Sequence, residues 1–296
     1  MENVVQTIAL PQLPAPAPVI GIDELPGFIE IVPEAPKNQK KPSNNAVGIF
    51  RLENASDLKR LLEAIRTLQD EVTVRFEADK MIIRLMDTSR VAMIDYTIEK
   101  QYFEEWQVFK PGFTCFNVEA VLNIALSRLK KDTKVSVEFN EHHLVLKLKD
   151  DKERERTFPL LEANTEDVPS PKLCFDACYK VVGMAIKDDI EDLAKVSDHI
   201  TLLGEADSLT LKAEGDLAKG QNRHQRGDDG LLDIAVAKDS KATFSISTLL
   251  EFFRKGTWLG EVFSLEFSTD MPIKIVVNSK RFGYLTHYLA PRISYD

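Results

Sequence analysis

The sequence predicts an α+β protein in which one domain occurs twice. Residues 54–79 align without a gap, 128 positions further along the chain, with residues 182–207, and both segments end in the tripeptide Glu-Ala-Asp. The same shift places residues 135–139 on residues 263–267. A shift that stays constant over several separate segments indicates an internal duplication rather than a chance match. Each copy contains a helical pattern followed by alternating strand patterns.

Composition divides the chain into an N-terminal extension, two domains and a connector. Residues 1–47 are predicted to be a flexible extension, because eight of the fourteen prolines lie there and proline cannot propagate a helix or a central strand. Within it, residues 19–32 are either a short partner-binding motif or part of an unstructured tail. Two domains follow at 48–161 and 172–296, and the acidic, proline-containing stretch 162–171 is predicted to connect them.

Copy one begins with a short strand and an amphipathic helix. Residues 49–52 alternate as a strand does, and Asn54 or Ser56 can cap the helix that follows, because a short side-chain oxygen satisfies a free backbone amide. One face of this helix is apolar and contains Leu58, Leu61, Leu62, Ile65 and Leu68. This face is predicted to pack on the core.

The rest of copy one is predicted to be strands around a second helix. The strands cover residues 72–76, 81–85, 91–98, 133–139, 144–149 and 154–161. The second helix spans residues 118–129 with Asn117 as its cap, and basic residues follow near its end. Cations are favoured at a helix C-terminus by the helix dipole in any case, so their function stays open.

Copy two is predicted to repeat this plan with one exception. Its helices cover residues 179–196 and 247–255, and its strands cover residues 200–203, 209–213, 231–236, 262–267, 273–277 and 284–289. The exception is the polar stretch at residues 219–230, which lacks the apolar alternation that copy one has at the equivalent position. We therefore predict a loose edge or a mobile loop there.

Composition also bounds the cellular setting. The formal net charge of -9 argues against a uniformly basic surface, although it does not say where positive charge is concentrated. Three cysteines, Cys115, Cys174 and Cys178, suit a reducing compartment and have no spacing that predicts a metal site. No apolar run is long enough to span a membrane, and no secretion signal is recognised. An intracellular protein without a cofactor or metal is expected.

Five short motifs resemble those of DNA sliding clamps of the proliferating cell nuclear antigen (PCNA) family, most closely the archaeal members. They are MDTSRVAMID at 86–95, VSDHI at 196–200, GLLDI at 230–234, TDMPIKI at 269–275 and YLAPRI at 288–293. The resemblance implies a homotrimeric ring of two-domain subunits, with helices lining the hole and sheets outside. It further implies a non-enzymatic processivity factor for replication and repair, located with the DNA. Its partners would be double-stranded DNA, DNA polymerase, the clamp loader and other proteins that carry a clamp-interacting motif.

The resemblance also implies which side chains face DNA. The candidate cations lie on or beside the four helices and are Lys59, Arg60, Arg66, Arg128, Lys130, Lys131, Lys187, Lys195, Arg254 and Lys255. Contacts of this kind, made to phosphates and not to bases, give sequence-independent and salt-sensitive binding. The alternative for each residue is an ordinary solvated helix face, and several acids near Lys187 and Lys195 favour that alternative.

A pocket for partner motifs is implied as well. In the family it lies beneath the connector and accepts a short helical motif with apolar and aromatic anchors. The matching positions are Met86, Val91, Met93, Val168, Pro169, Pro272, Tyr288, Ala290 and Pro291. Ring closure would pair the strand at residues 154–161 with the strand at residues 208–214 of the next subunit.

Three alternative functions are compatible with the sequence. A clamp paralogue that works only in a heterotrimer and a monomeric processivity factor cannot be separated from a homotrimer by one sequence. A magnesium-dependent nuclease that uses Asp188, Asp189 and Glu191 is the alternative from the enzyme class. Adjacent acids on one helix point in different directions, so we expect surface charge instead.

Overall fold

The structure is a computed structural model that describes residues 46–164 and 168–292. The predicted N-terminal extension lies outside the described residues except for its last two positions. Residues 165–167 of the connector and the last four residues also lie outside them.

In the first copy, the described chain forms strands that surround two helices. The strands are β1 Ala46–Leu52, β2 Glu71–Phe76, β3 Lys80–Met86, β4 Ala92–Glu99, β5 Glu105–Val108, β6 Gly112–Asn117, β7 Lys134–Asn140, β8 His143–Lys149 and β9 Glu153–Pro159. The helices are α1 Ala55–Ile65 and α2 Val118–Ile124, with a 3-10 turn at Lys100–Tyr102. Asn54 caps α1 as predicted, because its side chain accepts a 2.8 Å hydrogen bond from the amide of Ser56.

The second copy repeats this order of elements. Its strands are β10 Ala177–Val182, β11 His199–Glu205, β12 Ser208–Glu214, β13 Lys219–Gln225, β14 Leu231–Val236, β15 Ser240–Ser245, β16 Val262–Phe267, β17 Ile273–Ser279 and β18 Gly283–Leu289. Its helices are α3 Gly183–Leu193 and α4 Ile246–Leu259. In the described ranges, every helix falls short of the length and apolar content that crossing a bilayer would need.

Strand order confirms the duplication. Each copy contains five strands paired side by side, ordered β5-β1-β7-β8-β9 in copy one and β14-β10-β16-β17-β18 in copy two. Each copy also contributes four more strands, ordered β4-β3-β2-β6 and β13-β12-β11-β15. The two copies therefore have the same topology, strand for strand, and the α+β class predicted from the sequence is confirmed.

The two copies are joined by one strand pairing, which we call the internal junction. Strand β18 runs antiparallel to β4, with Leu285 opposite Tyr96 and Leu289 opposite Ala92, so that nine strands form one continuous sheet. On the core side of this junction, the Tyr96 hydroxyl lies 2.8 Å from His287 Nε2. Burial lowers the pKa of His287 to about 3, so its imidazole is neutral.

The four helices form one contiguous layer over the core. Helix α4 contacts both α1 and α3, and α1 also contacts α2. Each helix buries its apolar stripe against the inward side chains of the sheets, as Leu58, Leu62 and Ile65 of α1 do. The exposed side chains of the helices are mostly polar or charged, with Ile124, Met184 and Trp258 as exposed apolar exceptions.

Residues 219–225 form strand β13 at the edge of four strands, so of the predicted loose edge or mobile loop the edge is confirmed over this part and the loop was wrong. The strand pairs with β12 along its whole length, from Ser208 opposite Gln225 to Glu214 opposite Lys219. Its inward positions are small or polar: a Cβ at Gly220 would come within 2.9 Å of Leu193. The prediction failed because backbone pairing needs no apolar alternation.

The position of β13 also corrects the predicted subunit contact. Strand β12, at residues 208–214, is paired on both sides, with β11 and with β13. It has no free edge for another subunit. The open edge on this side of copy two is β13 instead.

Several helix boundaries differ from those predicted: α3 ends at Leu193 rather than at residue 196, and α4 ends at Leu259 rather than at residue 255. Helix α2 ends at Ile124 rather than at residue 129, and Thr133 closes a separate turn by exchanging hydrogen bonds with the backbone of Lys130. Residues 179–182 belong to β10, where Tyr179 and Val181 alternate into the core. Helix α3 begins only at Gly183, where a Cβ would overlap the Phe263 ring at 2.1 Å.

Candidate DNA-facing surface and partner pocket

The structure distributes the ten predicted cations over one helical layer and one turn. Lys59 and Arg60 lie on α1, Lys187 lies on α3, and Arg254 and Lys255 lie on α4. Arg66 and Lys195 follow the last turns of α1 and α3. The remaining three, Arg128, Lys130 and Lys131, lie on the turn between α2 and β7. None of the ten is buried in the described structure.

Most of these cations already have a carboxylate neighbour. Arg66 donates to Glu119 Oε1 at 2.5 Å and to Asp70 Oδ1 at 3.0 Å, and the hydrogen bond to Asp70 raises the pKa of its guanidinium. Lys130 pairs with Asp151, whose hydrogen bond raises the pKa of the amine. Lys59 and Arg60 have only distant partners, at 4.0 and 3.9 Å.

Helix α3 carries the most acidic part of this surface. Lys187 donates to Asp188 at 2.8 Å, and Lys195 donates to Asp192 at 3.0 Å. Arg254 reaches across from α4 to Glu191 at 3.0 Å. These hydrogen bonds raise the pKa of Lys187 and of Arg254. A phosphate approaching these cations has to compete with a carboxylate that is already in place.

A shallow groove collects three of the predicted cations from two helices. Lys59 and Arg66 of the α1 side and Lys255 of α4 line this groove of about 530 Å³. Glu63, Asp70 and Glu251 line it too. The mixture of charges makes this part of the surface weakly attractive to a polyanion at most.

Three predicted cations have no carboxylate partner among the described residues. Arg128 and Lys131 are exposed on the α2–β7 turn, and Lys255 lies 4.3 Å from the centre of the Trp258 ring. Trp258 is 46% exposed and was not singled out from the sequence. Its position three residues after Lys255, on the polar face of α4, was the signal that could have identified it.

The predicted partner pocket lies at the outer side of the internal junction. Met86, Met93 and Tyr288 stand in one row across β3, β4 and β18, because Met86 is opposite Met93 and Met93 is opposite Tyr288. Met93 and Tyr288 are only 4% and 9% exposed, yet neither belongs to the hydrophobic core cluster. Leu289, on the alternate side of β18, does belong to it. Both outcomes follow the alternation of a strand.

The connector covers this row. Arg84 Nη1 lies 3.5 Å from the carbonyl oxygen of Val168. Burial raises the pKa of Tyr288 despite its hydrogen bond with Ser170 of the connector. Met86, Val168 and Pro169 also line an adjoining groove of about 610 Å³ under the connector.

The remaining predicted pocket residues surround the end of β18. Ala290 donates its amide to the carbonyl of Val91 at 2.7 Å, which holds the chain after β18 against the loop before β4. Val91 is 45% exposed, whereas Ala290, Pro291 and Pro272 are half-buried. Pro272 directly precedes Ile273, which is paired with Leu289. The structure thus brings the predicted pocket residues to one region.

Two family models match nearly all of this described structure. The model of the PCNA N-terminal domain matches residues 49–171, and the model of the PCNA C-terminal domain matches residues 170–292. The chain belongs to the PCNA family. Its two copies are therefore the two clamp-fold domains of that family, and neither model includes the residues before 49 or after 292.

Two relatives of this PCNA-family chain are DNA polymerase sliding clamps that cover most of its length. A DNA polymerase sliding clamp of Thermofilum pendens is 29% identical over 82% of this chain and 98% of its own length. A DNA polymerase sliding clamp of Pyrococcus furiosus is 28% identical over 81% of this chain and 96% of its own length. Both matches span the two domains.

Solved structures show the same fold. PCNA from Thermococcus kodakaraensis superposes with a TM-score of 0.78 at 22% identity, covering 83% of this chain and all of its own. The complex of PCNA2 and PCNA3 from Sulfolobus tokodaii matches with a TM-score of 0.76 at 25% identity, covering 82% of this chain and 99% of the matched chain.

The three acids of the nuclease alternative serve separate partners in this PCNA-family chain. Asp188 accepts from Lys187, Glu191 accepts from Arg254, and Asp189 lies 2.5 Å from His224 on β13. In the described ranges, no three His, Cys, Asp or Glu side chains converge as metal ligands would.

One positioning residue near the pocket was missed from the sequence. Asp87 Oδ1 accepts hydrogen bonds of 2.8 Å from the amides of Val91 and Ala92. Burial opposes its ionisation, but hydrogen bonds from the Ser89 side chain and from these amides keep the pKa of Asp87 below its ordinary value. Asp87 therefore fixes the loop that carries Val91. An Asp followed by Thr-Ser is a typical turn signal and could have identified it.

Proposed function

We propose that this chain is the subunit of a ring-shaped sliding clamp that encircles duplex DNA and holds DNA polymerase on it. Membership of the PCNA family supports this function, and the relatives named above are DNA polymerase sliding clamps. The subunit has no catalysis of its own and works as a processivity factor. It acts through topology, because a closed ring cannot leave a DNA molecule except at an end.

The main support for a ring is that two strands have open edges, although the equivalent strands in the other copy are paired. Strand β9 ends the five-stranded sheet of copy one, and β13 ends the four strands of copy two. Their equivalents in the other copy are β18 and β4, which pair with each other in the internal junction. Pairing β9 with β13 of a second subunit would therefore repeat, between chains, a junction that already exists within one chain.

Such a contact joins unlike surfaces and propagates head to tail. A head-to-tail contact gives a closed ring if its rotation closes and an open filament if it does not. We propose that three subunits close the ring, which makes six similar junctions, three internal and three between chains. An open strand edge on each side of the subunit would otherwise be an aggregation hazard.

The helical layer would face the DNA in this ring. The ten cations named above would meet phosphates without reading bases, so that binding is independent of sequence and weakened by salt. Carboxylates beside Lys187, Lys195 and Arg254 keep these contacts weak. Weak, distributed attraction suits a protein that has to move along DNA.

The row of Met86, Met93 and Tyr288 would receive partner proteins. Short helical motifs with apolar anchors bind in grooves of this kind, and methionines adapt to several partners because their side chains repack at low cost. DNA polymerase, the clamp loader and other proteins with such a motif are the proposed ligands.

A test of topology separates a ring from an ordinary DNA-binding protein. Polymerase stimulation is measured on a linear primed template with free ends and on the same template with both ends blocked by streptavidin. A ring threads over free ends, so we expect stimulation that is lost on blocking. Equal stimulation on both templates would contradict encirclement.

Light scattering of the purified chain decides the assembly. We expect the mass of three subunits. A stable monomer that trimerises only with a second clamp subunit would instead support the heterotrimeric alternative, for which the two-component complex from Sulfolobus tokodaii is a structural precedent. A monomer that still stimulates polymerase would support the monomeric processivity factor.

A further inference from the structure

Copy two contains a groove that the clamp function does not use, and we call it the basic groove. It lies on the outer face of β12, β11 and β15 and has a volume of about 440 Å³. Its cationic lining consists of Lys212, Lys241 and Arg292, with His199 beside them. Hydroxyl groups of Thr201 and Thr243 lie 2.9 Å apart on its floor.

Positive charge dominates this groove in a chain whose net charge is -9. Lys241 is exposed and has no carboxylate partner among the described residues, and Arg292 donates to His199 Nδ1 at 2.8 Å. The one carboxylate in the lining is Glu214, which Lys212 contacts at 3.0 Å. Lys219, from outside the groove, contacts Glu214 as well, at 3.3 Å, so this carboxylate is already neutralised.

The basic groove is open on the side opposite the helical layer. Thr201 and Thr243 alternate with Ile200, Leu202 and Phe244, whose side chains are buried in the core. Because successive side chains of a strand point to opposite faces, the groove residues point away from the core and the helices. Duplex DNA held against the helices is therefore on the other side of the sheet.

The same backbone groove exists in copy one. Cys115 on β6 is 128 positions before Thr243 on β15, and a chain segment closes the groove in both copies. In copy one the amide of Leu161 donates to the carbonyl of Cys115 at 2.8 Å. In copy two the amide of Arg292 donates to the carbonyl of Thr243 at 2.7 Å. Both copies therefore have a backbone hydrogen bond at this place.

The chemistry of the two grooves has diverged. Where copy one places Phe113 and Cys115, copy two places Lys241 and Thr243. The copy-one groove is the one that adjoins Met86 and the connector, and its lining is partly apolar. The copy-two lining replaces these apolar side chains with cations and hydroxyls, which are hydrogen-bond donors for carboxylates.

We propose that the basic groove binds an acidic, extended segment of a partner protein. Carboxylates of that segment pair with Lys241, Lys212 and Arg292, and Thr201 and Thr243 donate from the floor. The charge of the lining favours an anionic ligand, and its position behind the sheet favours a protein segment over the encircled DNA. This site goes beyond the proposed clamp function and lies in a different copy from the β3–β4 wall of the partner pocket.

Fluorescence anisotropy with a fluorescein-labelled peptide of eight glutamates tests the proposal on the full chain. The double variant Lys241→Glu with Arg292→Glu should bind the peptide about tenfold more weakly at low salt, because repulsion replaces two charge-assisted contacts. Lys100→Glu with Lys280→Glu is the matched control, since both lysines are exposed, lie outside the groove and give the same change in net charge. The control should bind as the unaltered chain does.

Neutral variants and a competitor complete the experiment. Lys241→Gln with Arg292→Gln should also weaken peptide binding, without the added repulsion, while thermal unfolding shows that the variant is folded. Equal loss of binding in the groove variants and in the control would overturn the proposal, because the change in net charge alone would then explain the loss. A short DNA duplex that binds more tightly than the peptide and loses that binding through Lys241→Gln with Arg292→Gln would overturn the assignment to a protein segment.

Discussion

Single residues at the end of β18 separate ligand contact from core packing. Ala290 is half-buried beside Val91, whereas Leu289 is buried in the core opposite Ile273. Ala290→Asp should weaken binding of a polymerase-derived clamp motif by about thirtyfold, on the order of 2 kcal/mol, because it places a charge in an apolar contact. Isothermal titration measures this loss.

Leu289→Ala is the contrasting change. It should lower the free energy of unfolding by about 2–5 kcal/mol through the cavity that it creates. For the portion that stays folded, motif affinity should be near normal. Near-normal affinity in the Ala290→Asp variant would show that the pocket lies elsewhere.

His224 gives the stability of copy two a dependence on pH. The Nε2 atom of His224 lies 2.5 Å from Asp189 Oδ2, and Asn222 donates to the other oxygen of Asp189 at 2.7 Å. The charge of Asp228 also favours the protonated form of His224. The hydrogen bond that His224 donates to Asp189 raises the pKa of His224. This contribution to stability is complete below the unfolded pKa of about 6.5 and is lost as the pH rises through the higher folded value.

His224→Gln should therefore lower the unfolding midpoint more at pH 5.5 than at pH 9. We expect a difference of a few degrees between the two conditions, from thermal unfolding followed by circular dichroism. Asp189→Asn, which removes the other partner, should give the same trend. If the difference in unfolding midpoint between the variant and the unaltered chain stays constant with pH, the ion pair is contradicted.

At the scale of elements, the α2–β7 turn should contribute more to DNA contact than α3 does. Arg128 and Lys131 have no carboxylate partner in the described structure, whereas Lys187 already pairs with Asp188. Arg128→Glu with Lys131→Glu should reduce polymerase stimulation, and more so at high salt, because the remaining attraction is then screened. Lys187→Gln should have a small effect. Primer extension at two salt concentrations measures both.

Proline substitutions at two adjacent positions of the edge strand β9 test subunit pairing, because each variant serves as the control for the other. Adjacent amides of a strand point to opposite sides, so of Arg156 and Thr157 one faces β8 and the other faces the open edge. Proline removes the amide in either case. One of Arg156→Pro and Thr157→Pro should therefore destabilise the subunit by about 3 kcal/mol, and the other should dissociate the oligomer with the subunit still folded.

Size-exclusion chromatography with light scattering distinguishes the two proline variants. If both stay fully assembled, β9 is not part of the contact between subunits. The same experiment on β13 would test the corrected partner strand.

Elements with apolar periodicity were predictable from the sequence, and those without it were not. The helix around Leu58 and the strand around Val74 carry their burial pattern in their side chains. Strand β13 does not, because Asn222 and His224 face inward and are satisfied by Asp189 of α3, a contact between residues over thirty positions apart. A long-range polar contact of this kind leaves no periodic signal.

The candidate pocket was predictable for a different reason. Its residues come from motifs that resemble a known family, and strand alternation placed Tyr288 and Leu289 on opposite sides. The restraint of the loop by Asp87 and the neutralisation of α3 by its own acids depend on side-chain geometry. These properties required the structure.

For the whole molecule, the fixed shift between the copies was the strongest prediction. It implied equal topologies, and the sheets have them. It did not reveal that nine strands from the two copies form one sheet, because the pairing of β18 with β4 lies between the copies and their counterparts β9 and β13 do not pair within the chain. The basic groove was hidden as well, since its residues come from four separate segments.

The internal junction has a consequence for how an assembled ring responds to dilution. The pairing of β18 with β4 is within one chain, so its strength does not depend on protein concentration, whereas a pairing of β9 with β13 between chains obeys mass action. Half of the six junctions would thus be permanent at any concentration. Dilution should release whole two-domain subunits, and any machine that opens the ring has only the β9–β13 contacts to act upon.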